Sequence, residues 1–287
     1  MGFKDILVTI DTGPTARGRI ELAAALAKRF SAHLIGLHTS LSTSLSPDAP
    51  QTQCYFEYFN RSLVSFQEEL AERTRADAAA TRLLFEEITA RHSLSAEWRQ
   101  GSGYPSQAAE LHGRYADLIV VGQRDPAYVL APLFQPSPEE VALAVGRPLL
   151  VIPYAGEWAE IGRRVLIGWD ASREATRAVH DALPFLIAAE TVIVLTVDPS
   201  RGPQGHGDIP GADIAQHLAR HGVKATVQST VSGEIGVGDA LLSWVSDVSA
   251  NLLVMGAYGH SRGREIVFGG ATRTILESMT VPVLMAH

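Results

Sequence analysis

A single cysteine, Cys54, is all the thiol chemistry in these 287 residues, so no disulfide forms within the chain and stability rests on buried apolar surface. Nothing approaches the roughly 18 consecutive apolar residues that cross a bilayer. The start, MGFKDILVTIDTG, holds too short an apolar run for a secretion signal, and Ile6 stands where an N-myristoylation motif needs Ser or Thr. Basic runs are missing too. Lys+Arg 24 against Asp+Glu 31 leave a formal charge of -7, with no stripe to neutralise a phosphate backbone. A hydrophobic fraction of 46% excludes disorder as the general state. The expectation is a reduced, cytoplasmic protein with neither nucleic acid nor membrane as partner.

Catalytic signatures are as scarce. There is no GxxxxGK[ST] phosphate loop, no GxSxG nucleophile elbow and no HExxH metal motif. GEIGVGD, Gly233 to Asp239, is spaced GxxGxG where a dinucleotide fingerprint needs GxGxxG, so it reads as a loop leading into the helix DALLSWVSDVS. HLARH places His217 and His221 at i and i+4 with no third ligand near them in sequence, which reads as solvated helix histidines and no metal site. No general base stands out, and the catalytic list is empty.

What the chain does have is repetition. KDILVTIDTGPTARGRIELAAALAKRF near the start corresponds to RRVLIGWDASREATRAVHDALPFLI, each an apolar run ending in Asp, then a polar turn, then a helical pattern. Asp11 thereby matches Asp170. ADLIVVG, ending at Gly122, matches ANLLVMG, ending at Gly256, and GRPLLVIP matches TVPVLMAH. Two domains follow, 1–155 and 161–287, with the boundary in the Gly-containing segment Tyr154 to Gly162. In each copy short Val/Ile/Leu runs alternate with helical patterns: Ala175, Val179, Ala182 and Leu186 share one face, as do Leu22, Leu26 and Phe30. Apolar strands without in/out alternation suit a parallel sheet covered on both sides. Each half is therefore expected to be a doubly wound open α/β domain, with ligands bound beyond the carboxyl ends of its strands.

In the second copy, MGAYGHSRGREIVFGGATRTILESM spaces Gly256, Gly259 and Gly269 between a buried strand and an amphipathic helix. Glycines let backbone approach an anion, and a helix N-terminus offers unpaired N–H groups and a favourable dipole. Turn glycines alone would give the same pattern. The loop resembles the phosphate loop of the ATP-binding universal stress proteins, and the tandem repeat resembles a two-domain member of that family. The resemblance implies the adenine nucleotide alpha hydrolase-like fold and a pseudo-twofold arrangement of the copies. It implies ATP as ligand, with or without Mg, and no metal held by the protein itself. It also implies a site made of Asp170, Val197, Gly256, Gly259, Gly269, Gly270, Ala271 and Thr272. Asp170 would lie by adenine and ribose and Val197 by the adenine edge; read from the residues alone, the one is equally a helix cap and the other core. Gly270 stands where the family has Ser or Thr, and Thr272 falls where a second hydroxyl occurs. Arg262, Arg264 and Arg273 are available cations, none singled out. The implied role is regulatory or sensing in bacterial stress, with His260 the one candidate for orienting water in a slow ATPase. A nucleotide-free interaction module is the third reading.

The first copy lacks the loop: Asp125 replaces Gly259, Gln135 replaces Gly269, and Pro136 and Pro138 replace Gly270 and Thr272. Proline has no N–H to offer, and Ser137-Pro138-Glu139-Glu140 reads as a capping box with acidic side chains at the helix start. Asp11 survives, which leaves a remnant pocket open as a possibility. The first copy is also longer, with an aromatic helical stripe through Tyr55, Phe56, Tyr58, Phe59, Leu63, Phe66 and Leu70. Finally, the resemblance implies that the two copies pair through their last strands, Leu149 to Ile152 antiparallel to Val281 to Met285, with further homodimerisation compatible.

Overall fold

The computed structural model describes residues 2–40, 75–128, 131–199, 209–259 and 270–287. The aromatic stripe, His260, Arg262, Arg264 and Gly269 lie outside them. Among the described residues ten strands form one sheet, in the order β3-β2-β1-β4-β5-β10-β9-β6-β7-β8. The first half contributes β1 (Asp5–Ile10), β2 (His33–Ser40), β3 (Ala96–Ser102), β4 (Leu118–Gly122) and β5 (Leu149–Ile152). The second contributes β6 (Arg164–Gly168), β7 (Thr191–Val197), β8 (Ala225–Thr230), β9 (Leu252–Gly256) and β10 (Val283–Ala286).

The central strands LIVVG, LLVI, LLVMG and VLMA are buried along nearly their whole length, as runs with no polar face must be. Successive side chains feed opposite faces: Ile6 and Val8 join one apolar layer, Leu7 the other. The helices cover both. In the first half these are α1 (Ala16–Phe30), α2 (helical over 75–91), α3 (Pro105–Gly113), α4 (Ala131–Phe134) and α5 (Pro138–Ala144). In the second they are α6 (Arg173–Asp181), α7 (Leu183–Ala188), α8 (Ala212–Arg220), α9 (Gly236–Asp247) and α10 (Gly270–Ser278). The apolar face read as continuous through Leu186 is shared by two helices, with Pro184 in the first turn of α7.

All described strand pairs are parallel except one. β5 and β10 run antiparallel, with Val151 opposite Val283, Leu150 opposite Leu284 and Leu149 opposite Met285. This is the pairing expected from the sequence. Pro148 and Pro282 precede the two strands, and each gives its carbonyl to the neighbouring ladder, accepting from Ile119 N–H at 3.1 Å and Leu253 N–H at 3.0 Å. The missing proline N–H therefore breaks no ladder bond. In the second half β6 is flanked by β7 on one side and β9 on the other. The chain winds outward from β6 in both directions, which leaves a crevice above the carboxyl ends of β6 and β9.

Candidate functional site

That crevice is a cleft of ≈ 220 Å³ in which every described residue of the expected site takes part: Asp170, Val197, Gly256, Gly259, Gly270, Ala271 and Thr272. They come from the ends of β6, β7 and β9 and from the start of α10. Gly168, Trp169, Leu195, Val237, Leu241 and Met255 complete the wall. The side toward β7 and α9 is apolar, and the side toward β9 and α10 is glycine backbone ending at a helix N-terminus. An apolar wall with a few convergent polar groups is the usual make-up of a small-molecule site.

Gly256 packs directly on the first turn of α6. A Cβ there would stand 2.5 Å from Ala175 N and 2.8 Å from the Glu174 carbonyl carbon, so the close approach of β9 to α6 requires glycine. At Gly259 a Cβ would face Glu174 Oε2 at 3.1 Å and Ser172 Oγ at 3.3 Å. Between them Tyr258 holds a left-handed φ of 59°, and its N–H donates to Thr272 Oγ1 at 3.2 Å. Thr272 is buried, and its hydroxyl retains a proton to give after accepting that bond. Burial, then the Glu139 carboxylate of the first half, pushes the Tyr258 phenol well above its ordinary range, so it stays neutral. The first-turn N–H groups of α10 have no partner within the helix and carry the positive end of its dipole.

Asp170 is exposed, and its Oδ1 accepts from Ser172 N–H at 2.9 Å. The helix cap is Ser172, not Asp170: its side chain accepts from Ala175 N–H at 3.0 Å. Asp170 thus shapes the turn before the cap and keeps an edge on the cleft. Arg273 lies outside the cleft, with Nε donating to Glu277 Oε1 at 2.7 Å. Trp169 and Val237 escaped sequence reasoning. Trp169 adjoins the matched Asp170, and Val237 belongs to GEIGVGD, expected as a loop ahead of the helix; Gly233 to Ile235 do turn, but Gly236 to Asp239 already form the first turn of α9. There Gly236 takes a φ of 83°.

The equivalent place in the first half is filled. Arg19, fully buried, puts its guanidinium against the Asp11 carboxylate and donates from Nε to the Thr9 carbonyl at 2.9 Å. Gln135 Nε2 donates to Asp11 Oδ1 at 3.1 Å. Gly122, the match of Gly256, lies under the guanidinium: a Cβ there would fall 2.3 Å from an Arg19 terminal nitrogen. Counted from the matched aspartates, Arg19 falls where the second half has Ala178. Of the remnant pocket only ≈ 10 Å³ is left, beside Asp11, His38 and Asp77. His38 Nδ1 bonds the Ile10 carbonyl at 3.1 Å, its buried Nε2 has no partner among the described residues, and burial holds the ring below its ordinary value. The expected capping box is half present. Ser137 Oγ accepts from Glu140 N–H at 3.3 Å, but the Ser137 N–H goes to Ser106 Oγ at 3.0 Å and not to a glutamate.

Residues 162–287 match the family model described as the universal stress protein family. The universal stress protein Slr1230 of Synechocystis sp. is 27% identical over 171 residues, which span 58% of this chain and 57% of that protein. Among solved structures, a universal stress protein from Archaeoglobus fulgidus DSM 4304 superposes with a TM-score of 0.67 at 17% identity, covering 98% of this chain and 95% of its own. PA1789 of Pseudomonas aeruginosa PAO1, a protein of unknown function, gives 0.53 at 14% identity, covering 98% and 92%. Among the described residues no helix is long and apolar enough to cross a membrane, and no group of three or more His, Cys, Asp or Glu is placed to hold a metal ion.

Proposed function

We propose that the chain is a tandem member of the universal stress protein family, whose model matches residues 162–287, and that it is a regulatory protein that binds one ATP, in its second half. On this reading the chain is two domains, 1–155 and 161–287, of which only the second keeps a working site. One observation carries the proposal. The described residues of the site that the resemblance implies gather in a single cleft between β6, β7, β9 and α10, while Asp11 and Gly122, the counterparts of Asp170 and Gly256, close on Arg19. The apolar wall of Trp169, Leu195, Val197 and Leu241 suits a base. Asp170 at the rim suits ribose hydroxyls, and the glycines before α10 suit a phosphate chain on a helix N-terminus. A Mg ion would ride on the phosphates. Bound nucleotide would report or stabilise one conformation of a cytoplasmic protein.

Titration calorimetry with the full chain tests this. The expected result is one ATP per chain, tighter than GTP, with Trp169 emission changing on binding and the change lost in Trp169→Phe. Two equivalent sites, or none, would overturn it. Gly259→Asp carries the first domain's own residue into the second. The new carboxylate enters beside Glu174 Oε2 and faces the phosphates, so affinity should fall at least about tenfold, on the order of 1.4 kcal/mol.

A further inference from the structure

Away from the cleft, the packing of α6 against α8 gathers three imidazoles. His217 and His221 stand one helical turn apart at the end of α8, with ring centroids 4.7 Å apart. His180, in the last turn of α6, lies 5.9 Å from each. His180 and His221 are exposed and His217 is half-buried. The sequence shows the α8 pair without a third partner; tertiary packing supplies it from a helix far away in the chain.

We propose that His180, His217 and His221 form a binding site for one late first-row divalent cation, zinc above all, separate from the nucleotide cleft. Imidazole nitrogen is a preferred ligand for these ions, and an i, i+4 histidine pair presents two such nitrogens on one helix face. With metal–nitrogen bonds of about 2.0–2.1 Å and tetrahedral angles, two ligating rings have centroids roughly 5 Å apart. The three observed separations bracket that figure. As they stand the rings meet edge to face, at 83° and 73°, or tilted at 57°, and their nitrogens do not converge on one point. Convergence calls for rotation about the side-chain bonds of His180 and His221, both exposed, and exposed side chains change rotamer quickly. Arg220 is the neighbouring cation that opposes an ion here, and Asp181, next to His180, is taken up by Arg177 at 2.8 Å. Metal binding takes the neutral imidazole, the form an ordinary histidine holds above about pH 6.5. Three protein ligands leave a fourth position for water.

Zinc titrated into the untagged, chelator-treated full chain near pH 7.5 tests the site. One saturable ion per chain is expected, with a rise in melting temperature on zinc addition. His180→Ala and His217→Ala should each weaken binding at least about tenfold. The variant with all three replaced by Ala should show neither binding nor the thermal shift, while its zinc-free melting temperature stays at the wild-type value. Affinity should fall as pH drops below about 6.5, because protons compete for the same nitrogens. Absence of saturable binding overturns the proposal, as does unchanged binding in the triple variant. If His180→Ala titrates like the parent chain, the α8 pair acts alone and the three-ligand site is wrong.

Discussion

Arg19 decides more than any other single residue in the first half. Its guanidinium and the Asp11 carboxylate are both almost wholly out of water, so each pays a desolvation cost that the other's charge and the Thr9, Gly13 and Gln135 bonds offset. Arg19→Met should therefore strand a buried carboxylate and lower unfolding free energy in urea by about 3–5 kcal/mol, whereas Arg19→Met with Asp11→Asn should recover most of that loss. Nothing in the sequence announced this role. An arginine in ARGRIELAAALAKRF reads as a solvated helix position, and only the glycine at 122, which leaves room for the guanidinium, betrays it. His38 is the second residue with a measurable signature. Its folded value lies below the ordinary 6.5, burial being the main cause and the Ile10 carbonyl, Asp11 and Asp77 opposing it. The unfolded chain therefore takes up the proton first as pH falls. The stability due to neutral His38 is complete above about pH 6.5 and declines as pH drops from there toward the lower folded value. Melting temperatures of wild type and His38→Phe between about pH 7.5 and about pH 5.5 should diverge most at the alkaline end if the ring matters this way, the variant showing the shallower acid decline.

At the scale of elements, the cleft depends on how α10 is seated. α9 approaches α10 at Gly238, where a Cβ would lie 2.7 Å from Thr274 Cβ and 3.2 Å from the Ala271 carbonyl oxygen. Gly238→Val has to push the first turn of α10 away, though it removes no side chain from the cleft wall. Nucleotide affinity should drop about tenfold while secondary structure by circular dichroism stays intact; wild-type affinity would show that the seating of α10 is immaterial. The strands were legible because continuous apolar runs leave no other reading, and the matched Asp and Gly at their ends pointed to the cleft. GEIGVGD was legible as the approach to a helix, but that its second half already belongs to α9 was not, nor was its share in the cleft, since Val237 reaches it through tertiary packing of α9. The same holds for His180, which no spacing rule could connect to HLARH. Ser172 displaced Asp170 as helix cap for a local reason: it stands two positions further along the chain, and its side chain is the one that reaches the Ala175 N–H.

The whole molecule is held as one sheet by a short seam, in which three residue pairs of β5 and β10 join halves that are otherwise each other's repeat. Both strands are apolar and buried, LLVI and VLMA, unlike the outermost strands, whose AEWRQGS and ATVQST carry polar and charged residues. Outer edges of that kind resist pairing with another chain; inner ones left bare would invite it. Residues 1–155 or 161–287 produced alone should therefore self-associate, and size-exclusion chromatography of each should show dimers or larger species; a monodisperse monomer would mean that the seam contributes little. The resemblance to the universal stress protein family implied this seam, and the matching segments GRPLLVIP and TVPVLMAH said which strands would form it. The seam also sets a schedule for the nascent chain. On the ribosome β5 is complete while the entire second half is still unmade, and its partner β10 is the last strand to emerge. Throughout that interval an apolar ladder edge has no mate of its own, so slowing translation after β5 prolongs the time in which two neighbouring nascent chains can pair with each other instead of with themselves.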